Sequence, residues 1–278
     1  MMASKDRDLS MAEIDISVPH AARVYDYMLG GITNFAVDRE AAEQAAALVG
    51  GMERVRAEVR ANRAFLGRAV RYMVREAGIR QFLDIGTGIP NDDNVHAVAQ
   101  QEAPDVRVVY VDKDPVVLAH AHVLLKGGAD GSTVYIQEDF RNPERVLEGA
   151  AATLDPGRPV AVMMVGLLHH LRDSDDPAGL VARLMAGVPA GSHLAVSHLA
   201  RDIHAEGYVD AGEHLDDAME EPLVFRTFDE VAAFFAGLEL VDPGVVQVDT
   251  WRPAEASAPA IDGWTNPLYV GVGRKPGA

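Results

Sequence analysis

The 278-residue chain contains no cysteine. That excludes a disulfide framework, a cysteine-based zinc site and a cysteine nucleophile. Positive charge is scarce as well: 25 Lys and Arg stand against 42 Asp and Glu, a formal net charge of −17. Nucleic-acid backbones are held by basic patches, so no nucleic-acid partner is expected. Arginines do gather between Arg54 and Arg80, but Ala and Glu interleave with them at helical spacing. That pattern reads as a solvated helix face. Long apolar runs are missing too. The first ten residues are polar with no apolar signal core, and nothing approaches the ~20 residues of a membrane span. A soluble, cytoplasmic protein with no membrane partner is expected. No metal site is expected either. His204, Glu206, His214 and Asp216 match no strong ligand spacing and read as part of a solvated helical cover.

What is present begins with composition: at 48% hydrophobic residues and 24% charged, the chain can bury a substantial core. Its organising stretch is Arg80-Gln81-Phe82-Leu83-Asp84-Ile85-Gly86-Thr87-Gly88-Ile89-Pro90. Phe82, Leu83 and Ile85 read as a buried parallel strand that ends in two glycines, and a helix starts at Val95. Strand, glycine loop and helix start form the nucleoside-binding corner of an open α/β sheet. A dinucleotide fingerprint wants a third glycine three residues after the second; Asn91 stands there. Asp92 and Asp93 would repel a pyrophosphate at the helix start. Asp84, at the strand end, suits a cationic group such as an amino-acid ammonium. S-adenosyl-L-methionine (SAM), which joins adenosine to a methionine ammonium without phosphate, meets both conditions.

Asp84-x-Gly86-x-Gly88 after an apolar strand resembles motif I of class I SAM-dependent methyltransferases. The blocks Ala22 to Gly31, Asn34-Phe35, Asp38-Arg39-Glu40, Asn62 to Leu66, Phe82 to Pro90, Asn94-Val95-His96 and Pro267 to Arg274 resemble an actinobacterial S-adenosyl methyltransferase family once catalogued only as a domain of unknown function. The resemblance runs from about residue 15 to 275. It implies the Rossmann-like, seven-stranded class I fold and SAM as cofactor, and leaves the acceptor open.

Along the chain, helices are expected at Ala21–Leu29, at Asp38–Leu48 with Asp38 as N-cap, and at Met52–Ala77 with an interruption near Asn62. Strands and helices then alternate: Phe82–Ile85, Val95–Gln101, Val106–Val111, Pro115–Leu125, Thr133–Gln137, Pro143–Ala151, Val160–Val165, Pro177–Ala186 and His193–His198. Such alternation demands a parallel α/β sheet covered on both faces. A helix at Asp229–Phe235 precedes two strands, Leu240–Asp249 and Leu268–Val272, with no helix between them. These predict a C-terminal antiparallel hairpin. Residues 1–77 would form an N-terminal helical cap or lid and 78–278 the SAM-binding core, with an insertion at 201–225, in one integrated domain.

Asp112 ends the apolar run Val108 to Val111, where an acid can accept both ribose hydroxyls; the alternative, a helix cap ahead of Pro115, fits Asp114 better. By resemblance to the methyltransferase fold, Asp139 accepts the adenine amino group while Phe140 covers the ring, with Glu138 as the alternative acid. In that architecture the end of the fourth strand, at Val165, faces the methyl donor. His169 beyond it is the candidate general base, or else a packed structural histidine. Tyr25 and Asn34 belong to a lid over the cofactor or to a packed helical pair, and Arg63 is available to the methionine carboxylate. The candidate cofactor set is thus Asp84, Gly86, Gly88, Pro90, Asn94, Asp112, Lys113, Asp139, Phe140 and Val165, with Tyr25, Asn34 and Arg63 from the cap.

These features point to a methyltransferase acting on a small-molecule acceptor. Two rivals are a non-catalytic SAM-binding sensor or scaffold and a nicotinamide-dependent oxidoreductase. The latter predicts a third loop glycine and an all-parallel sheet.

Overall fold

The computed structural model describes residues 15–91, 93–115, 117, 132–203, 207–219, 221–253, 261 and 263–277. Its centre is one sheet of eight strands: β1 (Gln81–Ile85), β2 (Arg107–Asp112), β3 (Thr133–Gln137), β4 (Ala161–Val165), β5 (His193–Leu199), β6 (Glu239–Leu240), β7 (Val246–Gln247) and β8 (Leu268–Arg274). The spatial order is β3-β2-β1-β4-β5-β8-β6, and β7 also pairs with β8. β1 to β5 are mutually parallel, whereas β8 runs antiparallel to β5, β6 and β7. The antiparallel end contradicts the all-parallel sheet of the oxidoreductase rival. β1 and β5 are buried on both faces, as a parallel sheet with helices on each side requires.

Eight α-helices surround the sheet among the described residues: α1 (Ala21–Leu29), α2 (Ala36–Leu48), α3 (Met52–Arg75), α4 (Val95–Glu102), α5 (Pro143–Ala150), α6 (Pro177–Ala186), α7 (Tyr208–Ala218) and α8 (Phe228–Ala232). Two apolar layers sandwich the sheet, one under α3 and α4, the other under α5 and α6. A third cluster joins α1, α2 and α7. The 24 residues of α3 carry Val55, Val59, Asn62, Leu66, Ala69, Val70 and Met73 as one buried stripe at helical spacing. No described helix is long and apolar enough to cross a membrane.

Several expectations are corrected. α2 starts at Ala36, with Phe35 as N-cap. Asp38 lies inside the first turn and accepts the Phe35 N–H at 2.8 Å. α3 runs through Asn62 without interruption, because that side-chain NH2 donates to the Tyr25 hydroxyl rather than to the helix backbone. The strand expected over Leu240–Asp249 is two short pieces, divided by a cis Asp242–Pro243 bond and by Gly244 at φ 91°. Together they occupy one broken edge against β8. The helix expected at Pro115–Leu125 falls mostly outside the described residues; Pro115 and Val117 are helical. The arginines of α3 are not simply solvated. Arg68 donates to the carbonyls of Trp251 and Val248 at 2.8 and 2.7 Å, while Arg75 holds Glu102.

Candidate active site

The carboxyl ends of β1 to β4 open into a cavity of about 450 Å³, roofed by α1 and α3 and closed on its far side by α7. It lies where the connections diverge to either side of β1, the usual ligand crevice of an open α/β sheet. Gly86 and Gly88 form its floor, at φ 70° and 62°. Such torsions strain any residue with a Cβ. A Cβ on Gly86 would also lie 2.5 Å from Leu167 Cδ1, whereas one on Gly88 would meet nothing within 4 Å. Gly88 therefore leaves an open face where a ligand can approach the backbone.

Asp112 reaches this loop from the tip of β2. One of its oxygens accepts the Gly88 N–H at 3.1 Å, the other the Asp114 N–H at 3.0 Å. Burial raises its pKa, partly offset by those two N–H groups. Asp114 instead pairs with His20 at 3.1 Å, tying the start of α1 to the tip of β2. Lys113 lines the wall with its ammonium on Glu221. Glu138, Asp139 and the buried ring of Phe140 line the cavity past β3. Asp139 accepts the Arg141 N–H at 2.8 Å, and Arg141 extends to Asp175.

On the roof, Arg63 lines the cavity and ties α3 to the loop after β1, with Nη2 at 2.8 Å from Asn91 Oδ1 and 2.5 Å from the Asp93 carbonyl. Asp84 sits behind the loop, outside the cavity wall. Its buried carboxyl is pushed up to about 7, first by burial and then by the charge of Asp112, with Arg63 opposing. Pro90, Asn94 and Asn34 also stand outside the wall. Asn94 braces the loop, its Oδ1 accepting the Asn91 N–H at 3.3 Å. Asn34 donates to Asp26 at 2.8 Å and accepts from Arg39 at 2.9 Å, which holds the α1–α2 turn.

Val165 and His169 line the cavity at the exit of β4. The His169 ring is buried, and its Nδ1 has no hydrogen-bond partner. Burial, then His170, His198 and Arg226, hold its pKa well below the usual histidine value. A proton gained there would sit beside the Arg226 guanidinium, so the ring is a reluctant base.

Three contributors escaped the sequence reading. Asn62 is 5% exposed, donates to the Tyr25 hydroxyl at 3.0 Å and keeps an unpartnered Oδ1. Glu58 lies one turn before it on the same face of α3 and also lines the cavity. Tyr208 of α7 hydrogen-bonds the Glu58 carboxyl, which burial pushes up to about 8. A signal existed in two polar residues, four apart, beside the Val55–Val59–Leu66 stripe. Of the acidic insertion, His204 and Glu206 lie outside the described residues, while His214 bonds Gln44 at 2.9 Å. Among the described residues no group of three or more His, Asp or Glu is arranged to hold a metal ion.

The residues fit SAM in two respects: an acid at the β2 tip and an open backbone face at Gly88. Comparison with known proteins agrees. A crystal structure of a DUF574 family protein from Streptomyces avermitilis is 40% identical, with a TM-score of 0.87, covering 94% of this chain and 99% of that one. The structure of a putative methyltransferase from Thermobifida fusca is 38% identical, with a TM-score of 0.85, covering 95% of this chain and 97% of that one. Curated proteins gave no match. The S-adenosyl methyltransferase family model matches residues 7–276. With that model spanning nearly the whole chain, this protein belongs to the S-adenosyl methyltransferase family and is a SAM-dependent methyltransferase of the class I fold.

Proposed function

We propose that the acceptor is a small molecule, received in the inner half of the cavity while the cofactor lies over the strand tips. The observation that carries this reading is the continuity of the cavity. It runs from the Gly86–Gly88 floor into an apolar chamber walled by Val24, Val55, Val59, Leu215 and Phe225. Such a chamber is closed to a polymer by α7, and the formal charge of −17 disfavours nucleic acid. The absence of cysteine suits a cytoplasmic setting, and an actinobacterial origin accompanies the family resemblance.

In this reading Asp112 takes the ribose hydroxyls, Asp139 the adenine amino group, and Phe140 the ring face. Arg63 faces the methionine carboxylate from above, Tyr25 and Asn62 complete the roof, and Val165 and Gly166 border the reacting end. Residues 1–77 act as the lid of the core. SAM supplies an electrophilic methyl group on a sulfonium. The chain's own contribution is alignment and exclusion of water, which can account for most of such a rate enhancement.

Calorimetric titration with SAM, with its demethylated product S-adenosylhomocysteine and with NAD tests the reading. Binding of both SAM forms with no response to NAD is expected. Silence from both would overturn the assigned pose.

A further inference from the structure

The inner chamber has an uneven polar inventory. Its walls are aliphatic and aromatic, yet Glu58 projects into it from α3. Glu58 lies five residues before Arg63, roughly 7.5 Å back along the helix axis, so it sits beyond the cofactor end of the cavity. The described groups that act on its carboxyl amount to one hydrogen bond, from Tyr208. The Tyr208 hydroxyl also accepts from Trp264 Nε1 at 3.3 Å, which leaves its own proton for Glu58. Among the described residues no Arg, Lys or His pairs with that carboxyl. A half-buried acid in an apolar chamber, without a counter-charge, is costly to keep and calls for an explanation.

One helical turn onward, Asn62 lines the same cavity, its unpartnered Oδ1 buried. Glu58 and Asn62 therefore stand four residues apart on one helix face, with Tyr208 as the described donor to the carboxyl. A carboxylate or phosphate ligand would be repelled here. A hydroxyl would supply one donor and no charge. An ammonium supplies up to three donors and the missing counter-charge.

We propose that this chamber receives an apolar amine as the methyl acceptor, its ammonium seated on the Glu58 carboxyl beside Asn62. The inference rests on the methyltransferase reading above and names its substrate class. It also gives Glu58 a second task. An ammonium has no lone pair, and the Glu58 carboxylate is placed to hold the proton that the nitrogen must lose before it can accept a methyl group. The carboxyl raised to about 8 suits that exchange. The titratable and charged groups around it are Tyr208 and Tyr25, both with pKa values raised chiefly by burial, and Arg54, whose charge acts on Tyr208.

The test uses the full chain saturated with S-adenosylhomocysteine, titrated at pH 7 with 1-naphthylmethylamine and with its neutral analogue 1-naphthylmethanol. The amine should bind at least about tenfold more tightly than the alcohol. Its binding should release protons to buffer, seen as a heat that varies with buffer ionisation enthalpy. Glu58→Gln should erase both the preference and the proton release, while S-adenosylhomocysteine affinity stays within about twofold. The amine–alcohol comparison is made on the unaltered protein, so it stands even if the variant folds poorly. Equal binding of amine and alcohol, binding of neither, or an amine affinity untouched by Glu58→Gln would overturn the proposal. Failure of S-adenosylhomocysteine itself to bind would instead strike the cofactor pose on which the proposal rests.

Discussion

The Asp112 carboxylate accepts the Gly88 N–H at 3.1 Å, so the acid at the tip of β2 holds the glycine loop that follows β1. One side chain thereby shapes the floor of the cavity and presents its charge to it. Asp112→Ala removes both functions. With two charge-assisted ribose bonds at ~1.5 kcal/mol each, S-adenosylhomocysteine binding should fall about 100-fold. Asp112→Asn, which still accepts from Gly88, should fall less. Calorimetry on the three proteins decides, and wild-type affinity in Asp112→Ala would remove this residue from the site.

The two loop glycines should separate stability from binding. Gly86→Ala drives a Cβ to 2.5 Å from Leu167 at a positive φ, so the thermal midpoint should drop by several degrees. Gly88→Ala meets open space, and its φ of 62° adds strain of only ~1 kcal/mol. Its main expected effect is weakened cofactor binding, because the added methyl enters the ligand's space. Equal melting losses in the two variants would refute this division.

The cap rests on a buried ion pair. Arg23 Nε contacts both oxygens of Asp38, at 3.1 and 2.9 Å, and the same carboxylate accepts the N–H groups of His20 and Phe35. Asp38→Ala leaves a buried guanidinium without its partner, a change that typically costs ~3–5 kcal/mol. Urea unfolding should show a loss of that size, and cofactor affinity should weaken with it because α1 walls the cavity. A loss below ~1 kcal/mol would mean that the pair is solvated.

Glu58 imposes a pH dependence on stability. Its folded pKa, about 8, lies above the ordinary value of 4.5, so between those values the folded chain holds a proton that the unfolded chain has released. Stability therefore declines as pH rises through that window, and Asp84, raised from 3.8 to about 7, acts in the same direction. Glu58→Gln keeps an acceptor for Tyr208 but cannot ionise. Its stability advantage over the parent should grow from near zero at pH 4.5 to on the order of 2–4 kcal/mol at pH 8. Denaturant titrations at both pH values would show it, and a pH-independent difference would contradict the burial of this carboxyl.

Local pattern made much of this protein legible in one dimension. Apolar runs ending in Gly86, Asp112, Asp139 and Val165 are strands whose tips line the cavity, because parallel strands in a sheet all end on one edge. The helix–strand alternation and its failure after Phe235 likewise foretold the parallel sheet and its antiparallel end. Even the break in the strand expected over Leu240–Asp249 was written as Pro243 and Gly244, two residues a continuous strand does not accommodate. Asn34 and Asn94 resembled ligands by their place in the blocks that carry the family resemblance, yet their side chains brace loops, since an amide near a turn meets backbone groups first.

The sequence by itself determined the sheet, the cofactor loop and the family, since each is carried by neighbouring residues whose spacing reports backbone geometry. Only the tertiary structure decided the apolar chamber around Glu58. Glu58 and Tyr208 are separated by most of the core in sequence and meet only because α7 packs on α2 beside α3. Burial, charge and hydrogen-bond partnership belong to that meeting, and no local pattern along the chain encodes it.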